Sequence, residues 1–203
     1  MSEKQFNEDV YVDEKTSSYV EIIKKSAFAI ILIALIYIPI SSYNSLVLKN
    51  EQVSEAYSQI ESNMQRKLDL LPNLVKVVKS YAAHETELLT NITKLRSSRL
   101  PKNVDEMQKL NKNLNLATMR FFAVAENYPN LKSSEQYLQL QSQIEGAENR
   151  INVTRMQYNI SAKEFNVQSK IFPSNIVANM AGFSAKEYFK AEEKAHEKIN
   201  LDL

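Results

Sequence analysis

Two histidines, His84 and His196, are the side chains best suited to proton transfer or metal binding near neutral pH in this chain, which contains no cysteine. Glu85 follows the first of them, and Glu148-Asn149-Arg150 forms a second polar cluster. A helical zinc motif needs another ligand three or four residues away, but Leu88 occupies one such position. Di-metal bundles need two Glu-x-x-His motifs on facing helices, which the sequence does not supply. We therefore expect the two clusters to form a charged network that sets helix register, with no bound metal.

Catalytic chemistry finds no support elsewhere in the sequence. No Ser/His/Asp set, phosphate-binding loop or paired-carboxylate cleft can be assembled from its motifs. Gly146 and Gly182 are the only glycines among 203 residues, which disfavours sandwiches, barrels and glycine-looped nucleotide folds. A net charge of +1 gives no indication of a nucleic-acid partner. We expect a protein that is not an enzyme and has no cofactor.

The element most sharply defined by the sequence is an apolar segment, Ser26–Leu48, in which 23 residues carry no charge. About 20 residues suffice to cross a bilayer as a helix. A transmembrane helix over residues 26–48 is therefore predicted, in contact with membrane lipid. A cleaved signal peptide and a buried core helix are the alternatives. The residues expected at the membrane interfaces are Lys24, Lys25, Tyr37 and Tyr43.

Residues 1–25 are polar, with four lysines and six acidic residues, and are expected to form a disordered tail. Lysines are more frequent before the apolar segment than directly after it, which places the N-terminus in the cytoplasm and the body outside. The expected location is the cell (inner) membrane, which the chain crosses once.

Residues 49–203 are predicted to form an all-α fold, an elongated antiparallel bundle of long helices. Apolar residues recur every three or four positions from Val53 to Ala82, which predicts a first helix continuing to Leu100-Pro101. Asn103, with an acidic residue three positions later, begins a second helix, and Pro129 ends it.

A third helix is expected to begin after Ser133 or Ser134 and to end at Phe172-Pro173. A short helical turn then stops at Gly182-Phe183, a pattern typical of a left-handed C-cap. The sequence from Ser184 to Glu187 matches a capping box, which predicts a last amphipathic helix beginning there.

Helix lengths lead to a prediction about assembly. A helix over Tyr43–Leu95 is about 80 Å long, and one over Asn103–Tyr128 is about 39 Å long. If the second folds back along the first, Tyr128 arrives near Leu71-Pro72. The apolar stripe from Leu46 to Leu68 then lacks a partner in its own chain, so we expect it to pair with a second copy in a homo-oligomer.

Several motifs together resemble the LemA family of bacterial membrane-anchored helical proteins. The segments that carry the resemblance are Tyr43-Asn44-Ser45-Leu46-Val47, Arg66 to Val75, Tyr81 to Glu85, Ala123 to Lys132, Glu148-Asn149-Arg150-Ile151, Phe172-Pro173, Gly182-Phe183 and Tyr188-Phe189. The resemblance implies an N-terminal anchor and a helical bundle without an established catalytic activity. Some members of the family are linked to membrane organisation or envelope stress.

Two segments with a shared Pro-Asn-Leu core, at Pro72 and Pro129, are the candidate contact zone for a membrane or envelope protein partner or a second copy. The alternative is a purely structural kink opposite a turn. The proposed contact residues are Arg66, Asp69, Pro72, Asn73, Tyr128, Pro129 and Asn130. The sequence thus favours a single-pass scaffold that self-associates and positions partners at the membrane. An oligomeric membrane-remodelling protein and an envelope sensor that binds a soluble ligand are the other hypotheses.

Overall fold

The computed structural model describes residues 3–81, 85–96 and 98–190, with side chains from Tyr19 onward. This part of the chain is helical and contains no strand, which confirms the all-α prediction. Its six helices are α1 Glu3–Tyr81, α2 Thr86–Arg96, α3 Val104–Ala125, α4 Pro129–Lys132, α5 Glu135–Gln168 and α6 Ser174–Met180.

The chain divides into two compact units. The first consists of Met1–Leu48 and Gln168–Ser184, and the second of Lys49–Val167 and Ala185–Leu203. Helix α1 contributes to both, because no glycine interrupts it and Pro39 and Pro72 lie inside it without ending it.

The first unit contains the predicted membrane helix. Side chains on all sides of α1 in this region are exposed, including Phe28 at 64% and Ile33 at 65%. A core helix would bury most of such residues, so this alternative for the apolar segment is wrong. Among the described residues, α1 is the one helix long and apolar enough to cross a membrane. The four interfacial residues, Lys24, Lys25, Tyr37 and Tyr43, all lie on its exposed surface.

The tail expected to be disordered is helical from Glu3. No glycine or proline precedes Pro39, so nothing in the backbone stops the helix from extending toward the N-terminus. Lys25 and Glu21, one turn apart, also pair at 3.3 Å, although an exposed pair of this kind stabilises a helix only slightly.

The helix end predicted at Gly182 is confirmed in the first unit. Gly182 has a φ of +74°, and the backbone N–H of Phe183 donates to the carbonyl of Ala178 at 3.0 Å. This is the left-handed cap that ends a helix by satisfying its last carbonyls. The ring of Phe183 then packs against Tyr43, with 6.2 Å between ring centroids.

In the second unit, α1 and α3 run parallel, not antiparallel as expected. The Tyr57 hydroxyl shares its one hydrogen between the carbonyls of Pro101 (2.9 Å) and Asn103 (3.1 Å), and Lys67 Nζ donates to Asn111 Oδ1 (3.3 Å). Residue numbers therefore rise in the same direction on both helices. The predicted fold-back is wrong because α1 ends at Tyr81, and the chain returns through α2 before α3 begins.

Helix α5 supplies the antiparallel partner of α1. Lys49 pairs with Glu164 at 3.0 Å, and the rings of Tyr57 and Tyr158 lie 5.9 Å apart. With 34 residues, α5 is about 51 Å long. It is therefore long enough to lie along α1 from the level of Lys49 to the distal part of the bundle.

The apolar stripe expected to seek a second copy is buried within the chain. Its members Leu46, Val53, Ile60, Met64 and Leu68 are at most 4% exposed. For the residues from Val53 onward, the length of α5 explains the burial, because this helix extends further along α1 than the sequence argument assumed. The stripe gives no support to a homo-oligomer.

Both predicted helix starts are confirmed. The Asn103 side chain accepts a hydrogen bond from the Glu106 N–H at 2.8 Å, and Ser134 Oγ accepts from the Tyr137 N–H at 3.3 Å. Each side chain satisfies an N–H that the first turn leaves without an intrahelical partner. Pro129 does not close α3, which already ends at Ala125, and instead begins α4, where its missing N–H costs nothing.

Tyr57 joins α1 to the segment that leads into α3. Burial, together with the negative charge of Glu61, raises the pKa of the Tyr57 hydroxyl to about 12. The phenol therefore stays protonated and keeps its two carbonyl acceptors through the physiological range.

Candidate functional site

The proposed contact residues on α1 form a polar surface. Arg66, Asp69 and Asn73 are exposed, and their spacing of three and four residues places them on one face of the helix. Pro72 is half-buried beside them, and Asp69 accepts a hydrogen bond from Gln65 at 2.9 Å. These side chains face solvent and are free to meet a partner.

The structure does not pair the two Pro-Asn-Leu segments as expected. The Tyr128 hydroxyl donates to Glu85 at 3.4 Å, thirteen residues beyond Pro72 along the chain. Asn73 instead borders a cavity with residues 136–143 of α5. Pro129 and Asn130 are exposed on α4. The expected junction therefore consists of two separate surfaces, because α3 runs parallel to α1.

The predicted network between His84 and Glu148 is not found in the described residues. His84 lies outside them, and Glu148 has a different partner, Lys67 of α1, with 2.5 Å between Nζ and Oε2. Asn149 and Arg150, beside Glu148, are exposed. In the described part of the chain, no group of three or more acidic, His or Cys side chains is arranged to hold a metal ion.

Lys67 is the centre of the buried polar network in the second unit. Only 1% of its surface is exposed, and its Nζ donates to Asn111 and Asn115 of α3 as well as to Glu148 of α5. Asn115 Nδ2 also donates to Glu148 Oε1 at 3.2 Å. One cation thus joins three helices.

Burial by itself would raise the pKa of the Glu148 carboxyl, since it disfavours the charged form. The hydrogen bond and the charge of Lys67, with further hydrogen bonds from Asn115 and Asn111, outweigh burial and lower that pKa below its usual value. The Glu148 carboxyl is consequently ionised at neutral pH.

Beyond α6 the chain forms an extended segment, residues 185–190, which we call the strap. The capping box at Ser184 predicted a helix beginning there. That prediction is wrong, because residues 184–190 are not helical. The Asn166 side chain donates to the Lys186 carbonyl at 2.9 Å and accepts from the Lys186 N–H at 2.7 Å. Asn159 makes the same two bonds with Phe189, both at 2.9 Å.

Aromatic and cationic side chains anchor the strap. Phe189 is 6% exposed, its ring lies 5.3 Å from that of Tyr158, and the Arg155 guanidinium stands 5.3 Å from its centroid. The Lys190 carbonyl accepts hydrogen bonds from Arg155 Nη2 (2.8 Å) and Gln108 Nε2 (2.9 Å). The strap is therefore held by α5 and α3 through side chains, which bind the backbone of Lys186, Phe189 and Lys190.

A cavity of about 450 Å³ opens where the described strap ends. Its polar walls include Asn115, Glu148, Asn152, Arg155, Asn159 and Lys190. The cavity lies beside the Lys67 network, because Asn115 and Glu148 belong to both. This cavity lies at the surface of the bundle.

Comparison with known proteins identifies relatives of this chain. It is 28% identical to Protein LemA of Metamycoplasma hominis over 178 residues, which cover 86% of this chain and 80% of the relative. It is 24% identical to Magnetosome protein MamQ 2 of Paramagnetospirillum magneticum, over 78% of this chain and 68% of the relative. Magnetosome protein MamQ of Magnetospirillum gryphiswaldense is 25% identical, with the same coverage.

The model of the LemA family matches residues 56–202, a range that includes the Lys67 network, the exposed α1 face and the strap. The sequence motifs implied an N-terminal anchor and a helical bundle, and the family model matches most of the chain. This protein therefore belongs to the LemA family.

Proposed function

We propose that this protein is a membrane-anchored helical scaffold, without catalytic activity, that positions protein partners near the bilayer surface. One observation carries the proposal: α1 supplies both the exposed apolar segment and the buried stripe of the bundle. The relatives support it, since their names describe no reaction. The apolar stripe is buried in the chain, so the proposal does not depend on a second copy.

Anchoring through residues 26–48 is tested by two charges placed in the exposed apolar surface. We expect the double variant Ile33→Arg/Ile36→Arg to lose stable membrane association, because each central arginine costs about 2.5–3.5 kcal/mol of insertion free energy. Flotation with liposomes after alkaline extraction measures the bound fraction. Val153→Arg, at an equally exposed apolar residue of α5, is the control and should float like the wild type. Full retention of the double variant would contradict the anchor.

The contact face of the scaffold is proposed to be Arg66, Asp69 and Asn73. A photo-crosslinking residue at position 66 or 73 is expected to give adducts of defined mass in membranes of the source cells. The matched control is the same probe at Val153, which is exposed on a different helix. Equal adducts at all three positions, or none at 66 and 73, would overturn the proposed contact face.

The membrane-remodelling hypothesis makes a different prediction for the purified protein. A scaffold leaves liposomes spherical in electron micrographs, whereas an oligomeric remodelling protein deforms them without any partner. The sensor hypothesis is favoured by one observation, the polar cavity of about 450 Å³ in the second unit. A shift of the unfolding temperature by a small soluble ligand, abolished by Asn152→Ala in the cavity wall, would support that hypothesis.

A further inference from the structure

Helix α6 reverses the amphipathic pattern of an ordinary helix. Its buried side carries small residues, Ser174 and Ala178, which are 3% and 2% exposed. Ile176 and Met180 are exposed on the other side, because positions two residues apart on a helix point in nearly opposite directions. A helix surrounded by its own protein and water normally buries its large apolar residues. The outer side of α6 is therefore suited to an apolar neighbour.

The exposure is greatest at Met180 (85%) and at Phe172 (79%), which lies in the turn before α6. No other large apolar side chain in the described residues is as exposed, and Ile33 of the predicted membrane helix reaches 65%. Ile171 and Ile176 are exposed in the same short segment. Single exposed apolar residues are ordinary on a protein surface, whereas a group of them marks an interaction site. We call Ile171, Phe172, Ile176 and Met180 the α6 patch.

The charge around the α6 patch is that of a lipid-binding segment. Lys170 is the only charged residue in the sequence from 168 to 184. It is exposed directly before the patch, where its cation can meet a lipid phosphate while the apolar side chains enter the acyl boundary. Without a carboxylate in this segment, an anionic headgroup meets no local repulsion.

The α6 patch also lies near the predicted exit of α1 from the bilayer. Both belong to the first unit, and the turn after α6 places Phe183 against Tyr43 of α1, with 6.2 Å between ring centroids. Tyr43 is one of the residues expected at the membrane interface. Met180 is three residues before Phe183, so their Cα atoms are at most about 11 Å apart.

We propose that the α6 patch is a second lipid-binding site, which enters the interfacial layer of the bilayer that residues 26–48 cross. Its ligand is a phospholipid surface, with the apolar side chains among the upper acyl chains and Lys170 at the phosphates. Two contacts with the bilayer fix the rotation of the first unit about the axis of α1, which a single membrane helix leaves free. This inference rests on the proposed anchor, since α1 brings α6 to the bilayer.

The sequence contains no tryptophan, so a single introduced indole tests the proposal. The full-length Met180→Trp variant is reconstituted into liposomes of phosphatidylcholine and phosphatidylglycerol, with or without brominated acyl chains, which quench indole emission on contact. We expect a shift of the emission to shorter wavelength and a loss of at least about half its intensity in brominated lipid, because an interfacial helix buries its apolar side by about 5–10 Å. Phe172→Trp should behave in the same way. Met119→Trp, at an exposed residue of α3, is the matched control and should keep its intensity.

Ile33→Trp, in the predicted membrane helix, separates this proposal from the anchor itself. Quenching at position 33 without quenching at positions 172 and 180 would overturn the α6 site and leave the anchor in place. Absence of quenching at all three positions would contradict the anchor, and the α6 site with it. A shift to shorter wavelength at position 180 without quenching would assign the patch to a protein neighbour, such as a second copy, and would also overturn the proposal.

Discussion

Replacing Lys67 with methionine should destabilise the protein by about 3 kcal/mol, because it leaves the partly buried carboxylate of Glu148 without its cation. The measurement is the free energy of unfolding of the full chain in micelles, followed by circular dichroism at 222 nm in urea. Lys112→Met, at an exposed lysine of α3, is the matched control and should change this free energy by no more than about 0.5 kcal/mol.

A double variant separates the charge effect from packing. Lys67→Met with Glu148→Leu replaces the whole ion pair by apolar side chains, and we expect it to recover most of the lost stability. If the double variant were less stable than Lys67→Met alone, the network would be contributing through hydrogen bonds to Asn111 and Asn115 and not through its charges.

Lowering the pH should destabilise the wild type and stabilise the Lys67→Met variant. The pKa of Glu148 is lowered in the folded state, so its contribution is present above the usual carboxyl pKa of 4.5 and is lost as pH falls below it. In Lys67→Met, burial without a cation raises that pKa, so the variant should gain stability as pH falls from 7 to 5. Equal pH profiles for both proteins would contradict the proposed pairing.

Phe189→Ala should release the strap. A buried phenylalanine typically contributes about 3 kcal/mol or more, which corresponds to about a 100-fold increase in the open population of the segment. Trypsin cleavage after Lys186 should accelerate by a similar factor while the helices remain intact. Leu138→Ala, at an exposed apolar residue of α5, is the control and should leave the cleavage rate unchanged.

A strap cleavage rate unaffected by Phe189→Ala would show that the asparagine contacts suffice to hold the segment. In that case, Asn159→Ala should produce the acceleration instead, since it removes both backbone hydrogen bonds of residue 189. Unchanged cleavage in both variants would contradict the binding of the strap as described.

The sequence predicted helix starts and ends where local signals are strong. It failed where tertiary contacts determine the direction of a helix. Asn103, Ser134 and Gly182 act as caps because capping is a local interaction of backbone and one side chain. The break between α1 and α2 has no proline or glycine to mark it. Without knowledge of that break, the direction of α3 could not be derived. The separation of Pro72 from Pro129 follows from that direction and could not be derived either.

Lys67 could have been found from the sequence. Buried residues Ile60, Met64, Lys67 and Leu71 are spaced by four, three and four, so the lysine occupies a core position of the same stripe. A lysine at such a position indicates a buried acidic or amide partner. Its partners on α3 and α5 could not be identified, because helix register depends on the whole bundle.

The strap was missed for a different reason. Ser184 and Glu187 satisfy a helix-capping pattern, yet the amides of α5 offer the backbone competing hydrogen bonds. The relevant sequence signal is the pair Asn159 and Asn166, whose seven-residue spacing resembles an ordinary heptad.

The hydroxyl of Tyr57 has a consequence for spectroscopy. The protein contains ten tyrosines and no tryptophan, so its near-ultraviolet absorbance arises mainly from phenol rings. With a pKa of about 12, Tyr57 forms its phenolate well after a solvent-exposed tyrosine would. Burial also raises the pKa of Tyr137 and Tyr158, so the most alkaline part of an absorbance titration reports on these three phenols, including the contact of Tyr57 with the carbonyls of Pro101 and Asn103, without any attached dye.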